Sequence, residues 1–122
     1  MEVLLIKEER NHMQKENNIL EDLYELSEDR RKNRVVASYT NYLQDRGPDY
    51  ITRKVGEESL ELILALKDRN REDIIHEAAD VLYHLTVALE DANIRWSEIS
   101  EELKIRRKND DDKYNVKEQH NY

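Results

Sequence analysis

Apolar residues recur every three or four positions along most of this chain, and polar clusters separate one such run from the next. The first run contains Ile19, Leu23 and Leu26, whose spacing places them on one face of a helix. Asn18 precedes the run and has an acid three residues after it, which is a typical helix start. The pattern therefore predicts a first helix over about residues 18–32.

A strong helix-breaking pair, Gly47-Pro48, divides the next stretch into a short helix and a long one. Ser38 can cap the short helix, which ends at this pair. The long third helix is predicted from about Pro48 or Tyr50 to Lys67, and the polar stretch after it forms a turn.

The fourth predicted helix, from about Glu72 to Asp91, carries two apolar stripes where a surface helix carries one. Two stripes predict a helix that is buried on more than one side, and a chain this short has few helices to cover it. The pattern therefore favours a dimer. Asn93 can end this helix in the left-handed conformation. The stripes comprise Ile74, Ala78, Val81, Leu85 and Ala88 on one side and Ile75, Ala79, Leu82 and Leu89 on the other.

A last helix is predicted over about 96–108, with basic residues near its C-terminus, where positive charge suits the helix dipole. The sequence thus predicts an all-α bundle of four to five helices that dimerisation completes. Residues 1–18 are interpreted as an N-terminal extension, 19–108 as one domain, and 109–122 as a mobile C-terminal tail. The presence of only two glycines and one proline agrees with a helical chain.

Charge and composition narrow the classes of function. Asp and Glu number 28 against 20 Lys and Arg, and the net charge of -8 argues against nucleic acid or an anionic membrane as a partner. The chain has no cysteine, which excludes disulfides, thiol catalysis and cysteine-based zinc sites. No apolar run approaches the roughly 20 residues that cross a bilayer, so we expect a soluble, cytoplasmic protein.

Acids in the third and fourth predicted helices are spaced to meet between them. The third helix contains the pattern Glu-Glu-x-x-Glu and the fourth contains Glu-x-x-Asp, and residues three or four apart share a helix face. The turn makes the two helices antiparallel, so Glu61 and Asp80 should differ in height by only ~1.5 Å. The acids concerned are Glu57, Glu58, Glu61, Glu77 and Asp80.

Carboxylates packed this closely repel one another, and a hard divalent cation resolves the repulsion. Ligation by oxygen alone suits Mg²⁺, with Mn²⁺ as a substitute. Such an ion can activate water for attack on a phosphoanhydride. Acid-rich helical faces that merely meet solvent are common, but apolar neighbours surround Glu77 and Asp80, so we expect these two to be half-buried.

Several segments resemble the signature of phosphoribosyl-ATP pyrophosphatases, a family within the MazG-like all-α NTP pyrophosphohydrolases. Their order and spacing fit as well, over about residues 19–108. The KVGEE and EAADVLYHL contexts distinguish this family from the wider MazG-like group, which shares mainly the acidic pattern. The matching segments are SYT at 38–40, KVGEE at 54–58, Glu61, and EAADVLYHL at 77–85.

The resemblance implies a Mg²⁺-dependent, homodimeric, all-α enzyme of histidine biosynthesis. It would hydrolyse 1-(5-phosphoribosyl)-ATP to 1-(5-phosphoribosyl)-AMP and pyrophosphate, the second step of the pathway, without a covalent intermediate. By position, the resemblance makes Glu57, Glu58 and Glu61 the catalytic acids, with Glu57 either an extra ligand or a base that orients water. The metal ligands that it implies are Glu58, Glu61, Glu77 and Asp80.

Two positions depart from the family pattern. The chain has Ala37 where the family often has glycine, and Tyr42 where it often has lysine, so the substrate contacts of this loop are open. The cyclohydrolase domain that is sometimes fused upstream is absent from this sequence, and we expect a separate cyclohydrolase to perform the next step.

Further side chains are candidates for contact with the substrate, because a polyphosphate needs cations beyond the metal. Each also has a purely structural explanation: ion pairing for the cations, helix capping for the serine, and core packing for the tyrosine. These candidates are Arg53, Lys54, Ser38, Tyr39 and Arg46. Of the histidines nearby, His84 is interpreted as a packed, hydrogen-bonded residue, and His76 is expected to point away from Glu77.

Two other functions are consistent with the sequence. A MazG-like (d)NTP pyrophosphohydrolase of the house-cleaning type would share the metal site and differ in the pocket for the base. A non-catalytic helical interaction module would carry the acids only as a solvated face, and would then bind Mg²⁺ weakly and without defined stoichiometry.

Overall fold

The computed structural model describes residues 18–109, and these residues form helices and no strand. The all-α prediction is therefore confirmed. The predicted N-terminal extension and C-terminal tail lie almost entirely outside the described residues. The helices are α1 (Ile19–Lys32), α2 (Tyr39–Arg46), α3 (Pro48–Asp68), α4 (Arg71–Asp91) and α5 (Trp96–Lys108).

Local signals set most of the helix ends. The Ser38 hydroxyl accepts a hydrogen bond from the backbone N–H of the third residue of α2, and the Asn70 side chain caps α4 in the same way. Arg69 and Asn93 adopt left-handed backbone conformations after α3 and α4, as the sequence predicted for Asn93. The predicted side-chain cap at Asn18 is wrong, because its side chain makes no capping hydrogen bond.

The antiparallel pair α3 and α4 forms the centre of the fold, α1 packs along α4, and the short α2 contacts all three. A small buried cluster of Leu43, Ile51 and Val87 joins α2, α3 and α4. The sequence of α5 begins at Trp96, whose indole N–H donates to the Thr86 hydroxyl at 3.1 Å. This contact ties the start of α5 to α4.

A buried polar network holds α1, α2 and α4 together. Glu90 is only 8% exposed and accepts hydrogen bonds from Ser27 at 2.8 Å, from Gln44 at 3.2 Å and from Arg31 at 2.9 Å. Burial raises the pKa of Glu90, but these hydrogen bonds and the Arg31 charge outweigh it, so the pKa lies below its ordinary value. Nothing in the apolar pattern indicated this network.

Several large apolar side chains of α3 and α4 are exposed. One stripe of α4 was predicted to be buried, yet Ile75 is 57% exposed and Leu82 is 40% exposed within a single chain. On α3, Leu60, Ile63 and Leu64 are more than half exposed as well. Burial of α4 on two sides is therefore not reached within one chain, and dimerisation stays a prediction. Among residues 18–109, no helix combines the length and apolarity that crossing a membrane requires.

Candidate functional site

Acids from α3 and α4 converge between these two helices. Glu58, Glu61 and Glu77 each place a carboxylate oxygen within 4.8 Å of the others. Glu58 is buried, Glu77 is half-buried and Glu61 is exposed, so the group opens toward solvent on one side. These three residues belong to the ligand set that the family resemblance implies, whereas Glu57 is not part of this group.

A second group overlaps the first through Glu77. His76, Glu77 and Asp80 also place ligand atoms within 4.8 Å of one another, and His76 Nε2 lies 3.4 Å from Asp80 Oδ2. The predicted ligands are thus divided between two groups that share one carboxylate. The expectation that His76 points away from Glu77 is wrong. His76 stands four positions before Asp80, so the two side chains share a helix face.

Two features of the acids indicate that a cation would stabilise this group. Hydrogen bonding with Glu77, together with repulsion by the charges of Glu58 and Glu77, raises the pKa of Glu61. The Oε2 atom of Glu77 is buried and finds no hydrogen-bond partner among residues 18–109. A buried oxygen without a partner is costly, and a cation beside it would remove that cost. The donor set, oxygen-rich and shared by two helices, fits a hard divalent cation.

Glu57 lies outside both groups. Its carboxylate is 3.4 Å from Arg53 Nε and 3.4 Å from Lys54 Nζ. Lys54 also reaches back to Glu58, with its Nζ 3.3 Å from Oε1, and its side chain is only 21% exposed. Lys54 therefore borders the acid group directly, whereas Arg53 and Glu57 stand in more open positions.

A hydrogen-bonded chain connects α2 to the backbone of Asp80. His84 is buried, its Nδ1 lies 2.7 Å from the Asp80 carbonyl oxygen, and its Nε2 lies 2.9 Å from the Tyr39 hydroxyl. Because a carbonyl can only accept, Nδ1 carries the proton in the neutral imidazole and Nε2 accepts from Tyr39. The interpretation of His84 as a packed residue is confirmed, and Tyr39 holds it in place.

The remaining candidate substrate contacts lie apart from the acids. Ser38 serves as the cap of α2, and its oxygen accepts from Asn41 N at 3.2 Å. The guanidinium of Arg46 packs over two tyrosine rings, 5.7 Å from the ring centre of Tyr42 and 4.6 Å from that of Tyr50. The structure thus brings Lys54 to the acids and places Arg46 in an aromatic cluster.

The sequence model of phosphoribosyl-ATP pyrophosphohydrolase matches residues 20–107, which include every acid of the two groups. The chain belongs to the phosphoribosyl-ATP pyrophosphohydrolase family. This family is part of the MazG-like superfamily, and the resemblance inferred from the signature segments is confirmed.

Curated relatives of the phosphoribosyl-ATP pyrophosphohydrolase family cover the same part of the chain. A phosphoribosyl-ATP pyrophosphatase of Clostridium acetobutylicum is 50% identical over 90 residues, which are 74% of this chain and 82% of that protein. A protein of the same name from Bacillus mycoides is 44% identical over 72% of this chain and 82% of its own length. The histidine biosynthesis bifunctional protein HisIE of Caldanaerobacter subterraneus is 44% identical, over 74% of this chain and 44% of that protein.

Proposed function

We propose that this chain hydrolyses 1-(5-phosphoribosyl)-ATP to 1-(5-phosphoribosyl)-AMP and pyrophosphate, the second step of histidine biosynthesis. The family and the names of its relatives support this substrate. The observation that carries the chemistry is the convergence of Glu58, Glu61 and Glu77, with one buried oxygen of Glu77 lacking a hydrogen-bond partner among the described residues.

Mg²⁺ is the cation that we propose for this site, with Mn²⁺ as a substitute. The ion would be held by Glu58, Glu61, Glu77 and Asp80. His76 Nε2 lies 3.4 Å from the Asp80 carboxylate and would help to position it. When bound, the ion supplies charge neutralisation for the phosphate oxygens and lowers the pKa of water. The oxygen-rich donor set supports a hard cation over a soft one.

The chain's own residues would bind and orient the polyphosphate around this cluster. Lys54 borders Glu58, so its ammonium can donate to a phosphate oxygen without leaving the site. Arg53 lies one position away and is more exposed, and it can close over the phosphates from the solvent side. Glu57 keeps both cations in place through its ion pairs, and from there its carboxylate can accept a proton from the attacking water.

The direct test is release of pyrophosphate from phosphoribosyl-ATP by the purified chain, with and without Mg²⁺. We expect turnover that depends on the ion and that exceeds turnover of any nucleotide in a panel of dNTPs. Faster hydrolysis of a dNTP would favour the house-cleaning function, and no turnover of phosphoribosyl-ATP would contradict the proposal.

We also propose a homodimer in which a second copy covers the apolar surface of α3 and α4. Leu60, Leu64 and Ile75 are each more than half exposed in one chain, and they lie on the two helices that carry the acids. Exposed apolar area of this extent on a monomer is typical of an interaction surface.

A further inference from the structure

Four tyrosines of α2, α3 and α4 form an aromatic cluster beside the acid groups. The rings of Tyr39 and Tyr42 are nearly parallel, 19° apart in orientation and 6.0 Å between centres. Tyr50 meets Tyr42 edge-on at 5.9 Å, and Tyr83 stacks on the far side of Tyr39 at 6.0 Å. Tyr42 remains 45% exposed, so part of this aromatic surface is open to a ligand.

A cleft of about 370 Å³ lies against Tyr42. The loop before α2 forms its other side, where Val36 is almost fully exposed, and Ser38 lies at its base. Its volume falls within the range of small-molecule sites. Its lining combines apolar side chains, among them Val36 and Tyr42, with the ion pair of Arg34 and Asp45 at 2.6 Å.

Positive charge stands next to the same ring. The Arg46 guanidinium lies over Tyr42 and Tyr50, and no carboxylate among residues 18–109 forms an ion pair with it. An arginine with aromatic contacts and no acidic partner can attract an anionic ligand that also stacks on the rings. This combination favours a nucleotide over a purely apolar molecule.

The cleft is connected to the acids by covalent and hydrogen bonds. Ser38 lines the cleft, and the next residue, Tyr39, donates to His84, which in turn holds the Asp80 carbonyl. Along α3, Tyr50 and Glu58 are separated by about 12 Å at the rise of an α-helix. A nucleotide whose phosphates reach the acids can therefore extend its base toward the cleft.

We propose that this cleft receives the purine end of the substrate, with Tyr42 as the residue that contacts the ring. This inference rests on the proposed function and adds to it the residue that recognises the base. Stacking on an aromatic side chain depends on the π-face of the ring and tolerates substituents at its edge, so it suits a purine that bears a second ribose. Arg46, which lies over Tyr42, would stand near the phosphate of that second ribose, away from the polyphosphate at the acids.

The test compares AMP with ribose 5-phosphate, which lacks the base, by titration of the full chain in the presence of Mg²⁺. We expect the wild type to bind AMP roughly tenfold or more tightly than ribose 5-phosphate, the size of effect that one stacked base gives. Tyr42→Leu, which keeps apolar bulk without a π-face, should lose most of this preference. Tyr42→Phe is the matched control and should retain it.

Kinetics and NMR provide independent readouts. Tyr42→Leu should raise KM for phosphoribosyl-ATP roughly tenfold with little change in kcat, since the ring contact is equal in ground and transition states. In the wild type, the adenine protons of AMP should show NOEs to the Tyr42 ring, which requires no variant. The absence of those NOEs, or an unchanged purine preference in Tyr42→Leu, would overturn the inference.

The two proposals fail in different ways. A wild type that hydrolyses phosphoribosyl-ATP but whose Tyr42→Leu variant keeps the preference for AMP would refute the purine cleft alone. A wild type that prefers AMP through Tyr42 but does not hydrolyse phosphoribosyl-ATP would refute the proposed reaction alone.

Discussion

Glu77 is the residue with the most demanding surroundings, because it takes part in both groups of possible ligands. One of its oxygens is buried without a partner among the described residues, while its neighbour Glu61 has a raised pKa. The pKa of Glu61 is raised first by its hydrogen bond with Glu77 and then by the charges of Glu58 and Glu77, so both observations arise where the acids of α3 and α4 meet. A protein whose acids served only solubility would keep them apart.

Replacing Glu61 by glutamine tests this interpretation. We expect Glu61→Gln to lower kcat for phosphoribosyl-ATP by at least about a hundredfold, because a proposed metal ligand is lost. The fold should be retained, and the melting temperature without Mg²⁺ should stay equal or rise as repulsion is relieved. Turnover and thermal unfolding with and without Mg²⁺ measure both effects.

Asp80→Asn should behave in the same way, and Glu25→Gln, an exposed acid on α1, is the control. Mg²⁺ should raise the melting temperature of the wild type and of the control, and have little effect on the two site variants. Wild-type rates in Glu61→Gln and Asp80→Asn would count against the proposed site.

The sequence identified the acids of the site, but it did not give the correct positions of two residues beside them, Glu57 and His76. The pattern Glu-Glu-x-x-Glu does not say which of Glu57 and Glu58 faces α4, because adjacent positions are only about 100° apart and the rotation of α3 is set by its packing. His76 was placed wrongly although its spacing of four from Asp80 was visible. Applying that spacing to histidine as well as to acids would have found it.

At the scale of single helices, the residues before α1 and α4 allow a direct comparison of capping energies. Asn70 caps α4 by accepting from Asp73 N at 3.1 Å, whereas Asn18 precedes α1 without such a bond. Asn70→Ala should therefore lower the free energy of unfolding by about 1 kcal/mol. Asn18→Ala should change it by less than about 0.5 kcal/mol. Urea unfolding gives both values, and equal effects would contradict this assignment of the caps.

The Glu90 network makes stability depend on pH. We expect Glu90→Gln to lower the free energy of unfolding by about 2 kcal/mol near neutral pH, because the charged acceptor of the hydrogen bonds from Ser27, Gln44 and Arg31 is lost. Since folding lowers the pKa of Glu90, its contribution is fully present above the ordinary value of 4.5 and is lost as pH falls through the folded value.

The difference in stability between wild type and Glu90→Gln should therefore be constant at neutral pH and shrink below about pH 4.5. Denaturant unfolding across this range measures it. The exposed acid Glu102, paired on the surface with Arg106, provides the control: Glu102→Gln should cost less than about 1 kcal/mol. A difference that persists at acid pH would show that charge is not the cause.

Most helix ends were predictable because their signals are local: Gly47-Pro48 separates α2 from α3, and Ser38 caps α2. Asn18 is the exception, since the same kind of signal makes no capping hydrogen bond there. The network around Glu90 was not predictable. Its donors come from α1 and α2, at least 46 positions earlier in the chain, and only the packed arrangement brings them together. Long-range polar contacts leave no periodic trace in a sequence.

On the scale of the whole molecule, the apolar surface of α3 and α4 makes the oligomeric state testable. Leu64 is 54% exposed in one chain. Leu64→Glu should convert the proposed dimer to a monomer, since it would bury an unpaired charge in an apolar interface. Sedimentation velocity measures the change.

Leu103, exposed to a similar degree on α5, is the matched control, and Leu103→Glu should leave the dimer intact. A wild type that sediments as a monomer would refute the proposal directly. The sequence predicted the apolar stripes of α4 and a dimer that covers them, but it did not indicate which apolar residues of α3 stay exposed, because that depends on how α3 is rotated against α4.

The connection between α3 and α4 consists of Arg69 and Asn70 alone. One residue added inside α4, between Arg71 and Glu77, would turn Glu77 by about 100° around the helix axis and displace it by about 1.5 Å relative to the start of the helix. Both helices would survive, but Glu77 would face a different neighbour. Such an insertion should therefore abolish the meeting of the acids without unfolding either helix, because the short turn leaves α4 little freedom to slide back into register with α3.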